Sequence, residues 1–173
     1  NKVLNDMGLE STGLSVIPDE EHNPISENKN NRKNAEDFLK WSIDCCQALN
    51  SSMLCGPFHQ PLGQFSGNPP TQEEKERGAK VHQRSADYAK KFNINLSIEP
   101  LNRFECYFLN TLEDSCRYVD LVNRDNFGIL YDTFHSNIEE KDPVGAIEKS
   151  AKYINHIHIS ENDRGPPGKG NIP

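Results

Sequence analysis

Five short β-type runs, separated by loops and by helices with a 3.6-residue apolar stripe, leave this chain few architectures to choose from. The runs lie at residues 10–17, 52–55, 94–98, 127–131 and 154–159. Between the first two, Ala35, Phe38, Leu39, Ser42, Cys45, Cys46 and Leu49 fall on one face of a helix over residues 35–49. Thr71-Gln72-Glu73-Glu74 has capping-box spacing and opens a second helix, which turns Ala79, His82, Ala86, Ala89 and Phe92 inward. A third helix runs over residues 112–122. A fourth opens at Asp142-Pro143, a capping acid before proline at the first helical position, and reaches about residue 152. Strands joined through helices pair in parallel by right-handed crossovers, in either a doubly wound open sheet or a (β/α)8 barrel. The open sheet predicts a glycine-rich phosphate turn, and neither GxGxxG nor GxxxxGKS occurs. The barrel predicts polar, chemically useful residues at the C-terminal strand ends.

Those residues are present. The third run ends in Glu99 and the fourth in Asp132, and His158 stands at the end of the fifth. In a parallel barrel such positions converge on one face. Two carboxylates and an imidazole, with no thiolate donor in the set, suit Mn²⁺, Co²⁺ or Mg²⁺ and tolerate Zn²⁺. Each alone is ordinary: a solvated charge, or a histidine satisfied in a core. Together, at three strand ends, they read as a divalent-metal site. His135, three residues past Asp132, and Arg164, six past His158, are placed by the same topology beside that centre. A surface ion pair worth little energy is the ordinary alternative for Arg103 and Glu105 and is the reading taken for Arg103, while His156 reads as a structural residue, or one supporting the ligands, deeper in the barrel. The long aperiodic loop over residues 58–70 has a length that often accompanies function.

A net charge of -7 disfavours nucleic acid as a general partner. No run approaches the roughly 20 apolar residues needed to span a bilayer, no charged-then-apolar leader with a cleavage site is apparent, and a cytoplasmic protein is expected. The five cysteines, odd in number and without a CxxC pair, are expected as small, mostly buried thiols of a reducing compartment.

Three segments carry a resemblance: Ile98-Glu99-Pro100-Leu101-Asn102-Arg103-Phe104-Glu105; Tyr131-Asp132-Thr133-Phe134-His135-Ser136-Asn137-Ile138-Glu139-Glu140; and His156-Ile157-His158 through Arg164-Gly165-Pro166-Pro167-Gly168. In order and spacing they resemble the sugar phosphate isomerase/epimerase family of xylose isomerase-like TIM barrels, and most closely its D-tagatose and D-psicose 3-epimerase branch. Gly56-Pro57 and the helix capped by Thr71 also fit. The resemblance implies that Glu99, Asp132 and His158 are metal ligands, with Mn²⁺ foremost, and that Glu99 is also an acid/base carboxylate. It implies that Glu105, His135 and Arg164 bind a sugar or sugar phosphate. The reaction it implies is proton abstraction next to a carbonyl through a metal-stabilised enediolate.

In that family a second catalytic glutamate, also the fourth ligand, lies on the last barrel strand. The chain reaches Pro173 before such a strand and begins at Asn1 without a first one, so both ends are expected to be cuts through a longer protein. The expectation is a single partial barrel domain over residues 1–173, with five to six βα units, poorly active alone and homo-oligomeric. A hydroxypyruvate isomerase-like or inosose dehydratase-like enzyme would use the same ligands, and a non-catalytic sugar-binding barrel remains open. A zinc endonuclease of similar fold would want more than six histidines and a basic surface.

Overall fold

All five strands join one parallel sheet in chain order, in a computed structural model that describes residues 2–172. The elements are α1 (Lys2–Asp6), β1 (Gly13–Leu14), a 3-10 turn (Glu20–His22), α2 (Lys29–Ala48), β2 (Met53–Gly56), α3 (Gln72–Lys90), β3 (Asn95–Ile98), α4 (Leu112–Val122), β4 (Phe127–Asp132), α5 (Thr133–Glu139), α6 (Pro143–Ser150), a 3-10 turn (Ala151–Tyr153) and β5 (Ile154–His158). A parallel sheet wound in sequence order, with helices on one side, is the wall of a (β/α) barrel.

The two faces of β4 separate the layers. Phe127, Ile129 and Tyr131 belong to the large core between sheet and helices, which also holds Leu39, Ile43, Phe58, Leu96, Ile98 and Tyr118. Leu130 points the other way and packs with Met53 and Cys55 in a small cluster on the inner face. Asp132 follows Leu130 by two residues and so projects from that inner face. His156 and His158 of β5 stand opposite Leu130 and Asp132 in the register. Period 2 therefore aims the strand-end polar residues at one point, above an apolar floor.

Local chemistry explains the element boundaries. The Thr71 hydroxyl accepts from the Glu74 amide at 3.1 Å, and the Glu74 carboxylate accepts from the Thr71 amide at 2.7 Å. α3 buries His82 completely. The ring stacks on Phe127 at a centroid distance of 5.6 Å, Nε2 donates to the Phe58 carbonyl at 3.1 Å, and Nδ1 accepts from the Tyr118 hydroxyl at 2.6 Å. Burial depresses its pKa to about 4.

Several expectations are corrected. The first strand contracts from residues 10–17 to Gly13–Leu14, because the sheet edge offers it only β2, which takes up two of its residues in register. α2 begins at Lys29 rather than at residue 35, since the Asn28 side chain caps it by accepting from the Asn30 amide at 2.9 Å; its first turn is polar and carries no stripe to read. Phe92 lies beyond the end of α3 and is only partly buried. α1 and α5 carry no periodic signal and were not expected. Cys45 is exposed, while Cys46, Cys55 and Cys106 are buried. β1 and β5 form the two sheet edges, with Leu14, Ile157 and Ile159 exposed beside them. Among the described residues no helix is long and apolar enough to cross a membrane.

Candidate active site

Glu99 follows β3 immediately, held by two backbone contacts. Its amide donates to the Gly56 carbonyl at 3.0 Å, and its carbonyl accepts from His59 Nε2 at 2.9 Å. His59 is fully buried and stays neutral, with a pKa pushed down to about 3 by desolvation. It lies in the long loop after β2 and ties that loop to the turn at Glu99. Glu99 is 5% exposed, and burial, then the charge of Asp132, raises its pKa to about 8.

Asp132 divides its carboxylate between two tasks. Oδ1 caps α5, accepting from the Phe134 amide at 2.7 Å and the His135 amide at 3.4 Å. Oδ2 faces the cavity, 3.9 Å from His158 Nδ1. That cap is the signal that reveals α5 in retrospect, an acid followed by a helical turn with no apolar stripe. α5 in turn directs His135 into the cavity, with Nε2 3.9 Å from Glu99 Oε1.

Proximity alone nominates Glu99, Asp132 and His135 as a metal cluster, their donor atoms all lying within 4.8 Å of one another. Hydrogen bonding argues against His135 as the third member. The backbone amide of Asn102, which can only donate, reaches His135 Nδ1 at 3.0 Å. Nδ1 is therefore the unprotonated nitrogen, and Nε2 presents an N–H to the cavity rather than a lone pair. Burial lowers the pKa of His135, which keeps the ring in this neutral tautomer. His158 has no such constraint: Nδ1 faces Asp132, and Nε2 lies 4.0 Å from Cys55 Sγ. The donors that could hold a divalent cation are Glu99, Asp132 and His158. The charge of Asp132 adds to the cost of ionising the buried Glu99, and a cation between the two carboxylates would offset it.

Glu105 and Arg164 meet on the rim, with the guanidinium donating to Oε1 at 2.9 Å. The surface pair expected between Arg103 and Glu105 is absent. Arg103 pairs with Glu139 at 2.9 Å, and Glu105 is taken up by Asn102 and Arg164. Arg164 also stacks on Phe134, 4.0 Å above the ring. All six expected residues, Glu99, Glu105, Asp132, His135, His158 and Arg164, line one cavity of about 200 Å³. His156 lies one strand pair deeper, as expected.

Three residues that organise the site gave no sequence signal of their own. Asn102 Nδ2 donates to Glu105 Oε1 at 2.8 Å and contacts His135 Nδ1 at 2.9 Å, tying one to the other. His59 supports Glu99. Glu161 accepts from the amides of Gly168 at 2.6 Å and Ile172 at 3.1 Å, which hold its pKa below the usual range and fold the loop that carries Arg164.

The chain belongs to the xylose isomerase-like TIM barrel family, whose model matches residues 1–173. Its relatives include a probable ketose 3-epimerase of Synechocystis sp., 37% identical over 131 residues, or 76% of this chain and 46% of the relative. The D-psicose 3-epimerase of Agrobacterium fabrum is 32% identical over 174 residues, covering 99% and 60%. Among solved structures, D-allulose 3-epimerase from Methylomonas sp. in complex with D-allulose superposes with a TM-score of 0.93 at 29% identity, over 99% of this chain and 59% of that one. The chain spans about half the length of the curated relatives it matches.

Proposed function

We propose that the chain, one partial-barrel domain, carries the proton-abstracting part of a ketose 3-epimerase site that works with a divalent cation. The observation that supports this best is Glu99, a buried carboxylate with a pKa of about 8 in a cavity that also receives His135, Glu105 and Arg164. That value holds without a cation, and a cation bound beside Glu99 would lower it toward the range in which a carboxylate both takes and returns a proton. The relatives that hold D-allulose or D-tagatose in their solved structures point to a ketose as substrate.

In this reading Glu99 removes the proton from the carbon next to the ketose carbonyl. His135 donates its Nε2–H, and Arg164 its guanidinium N–H groups, to oxygens on which negative charge develops. Glu105, anchored by Arg164 and Asn102, accepts from a sugar hydroxyl. Glu99, Asp132 and His158 would hold the cation, which when bound supplies the Lewis acidity that stabilises an enediolate. Mn²⁺ suits this oxygen-rich set best, and Co²⁺, Mg²⁺ and Zn²⁺ are compatible with it. Glu99 serves one face of the sugar, whereas inversion requires a proton delivered to the other. By itself the chain should therefore exchange the substrate's proton with solvent faster than it inverts the carbon.

The test is incubation with Mn²⁺ in deuterium oxide, with D-allulose, D-tagatose and L-ribulose as probes, followed by NMR. Deuterium is expected at the carbon next to the carbonyl for at least one sugar, and is lost in Glu99→Gln. Asp132→Asn should weaken Mn²⁺ binding by at least about tenfold, since even outer-sphere changes cost that much. Exchange that survives Glu99→Gln, or no exchange with any probe, would overturn the assignment.

A further inference from the structure

On the inner face of the sheet, one strand position below the site just described, a second set of donors converges. Cys55 of β2 and His156 and His158 of β5 each offer a ligand atom within 4.8 Å of the other two. The thiol is buried, and the two imidazoles are half-buried. Sγ stands 4.0 Å from His158 Nε2 and donates to the Gly13 carbonyl at 3.3 Å. The two rings meet edge to face, with centroids 5.2 Å apart. Among the described residues His156 makes no hydrogen bond through its ring, so both its nitrogens are free to serve. Met53 and Leu130 pack with Cys55 and give this corner an apolar wall.

We propose that Cys55, His156 and His158 form a second cation site, favouring ions with affinity for sulfur such as Zn²⁺, Co²⁺ or Cd²⁺ over Mn²⁺ and Mg²⁺, which competes with the carboxylate site for His158. A sulfur and two nitrogens supply three of the four positions of tetrahedral zinc, with a water to take the fourth, whereas Glu99 and Asp132 are hard oxygen donors. With bonds of about 2.0–2.3 Å, tetrahedral ligand atoms stand roughly 3.5 Å apart. The Sγ to Nε2 separation of 4.0 Å is close to that, and a small rotation of the His158 ring closes the difference. On binding, the S–H proton leaves to solvent as the metal–sulfur bond forms, and the Gly13 carbonyl loses its donor. A neutral imidazole coordinates through one nitrogen only. His158 engaged through Nε2 with Cys55 thus leaves the Nδ1 that faces Asp132, so filling one site weakens the other. The inference goes beyond the epimerase reading and shares only His158 with it.

The test uses the 173-residue chain, stripped with chelator and titrated anaerobically with Co²⁺ under reducing conditions. A strong near-ultraviolet thiolate-to-cobalt charge-transfer band is expected, which the oxygen-rich site cannot produce. It should vanish in Cys55→Ser and persist in Cys45→Ser, the control for the exposed thiol, and in Asp132→Asn, which removes a ligand of the first site and supplies none to the second. His156→Gln, at a half-buried position, should weaken Co²⁺ binding by at least about tenfold, and this reading holds even if Cys55→Ser fails to fold. Absence of the band from the wild-type chain, its survival in Cys55→Ser, or unchanged affinity in His156→Gln would overturn the proposal. Loss of proton exchange by sugars with this band retained would sink the epimerase reading alone.

Discussion

Mild acid will destabilise this fold through His82. The ring is fully buried, and both its nitrogens are committed: Nε2–H donates to the Phe58 carbonyl, and Nδ1 accepts from the Tyr118 hydroxyl. A proton added at Nδ1 meets the hydroxyl hydrogen already there, and the charge it brings has no counter-ion among the aromatic rings around it. The folded pKa is about 4, against an ordinary 6.5. Between those values the unfolded chain binds a proton that the folded chain refuses, so stability falls as pH falls through this window. At roughly 1.36 kcal/mol per pKa unit, His82 contributes about 3 kcal/mol above pH 6.5, of which about 2 kcal/mol is gone by pH 5. His59 titrates in the same direction, so the assay must isolate His82. Urea unfolding of the wild type and of His82→Gln, followed by far-ultraviolet circular dichroism at pH 7 and pH 5, does so. Glutamine can donate and accept at the same two partners and does not titrate. The stability gap between the two proteins should shift by about 2 kcal/mol in favour of the glutamine variant at pH 5. A gap constant to within about 0.5 kcal/mol would refute the reasoning, because it would mean that the folded state accommodates the imidazolium.

Removing the α3 cap with Thr71→Ala should cost about 1 kcal/mol in urea unfolding at pH 7, and a loss indistinguishable from zero would mean that the first turn of α3 is held by its packing alone. Gly56 has a φ of +124°, and a methyl group there would collide with the Ser15 carbonyl oxygen across the β1–β2 edge. Gly56→Ala should therefore destabilise the chain by more than about 1 kcal/mol in the same assay. The open edges β1 and β5, with Leu14, Ile157 and Ile159 exposed beside them, should drive self-association in sedimentation velocity. A concentration-independent monomer would contradict that.

Legibility varied with the kind of signal each segment carries. β4 and α4 could be read almost residue by residue, because a continuous apolar run and a strong amphipathic stripe are local properties. α5 could not, because its stability rests on the Asp132 cap and on tertiary packing, and its seven residues are too few to show a period. The capping box at Thr71 was visible because both its hydrogen bonds join residues three apart in sequence. The pairing of Glu105 with Arg164 was not, because its partners are 59 residues apart.

What the amino-acid order by itself determined is the parallel strand-helix alternation and five polar residues at or just beyond strand ends, Glu99, Asp132, His135, His158 and Arg164. Both follow from periodicity and from the convergence of parallel strands at their C-terminal ends, whereas Glu105 entered only through the family resemblance. What only the tertiary structure decided is how those residues divide the work. The Asn102 amide fixes the proton on Nε2 of His135, the packing around Glu99 raises its pKa, and the register of β5 brings His156 and His158 to Cys55. Each depends on a distance between segments remote in sequence, and hydrogen-bond direction and desolvation exist only once those distances are set.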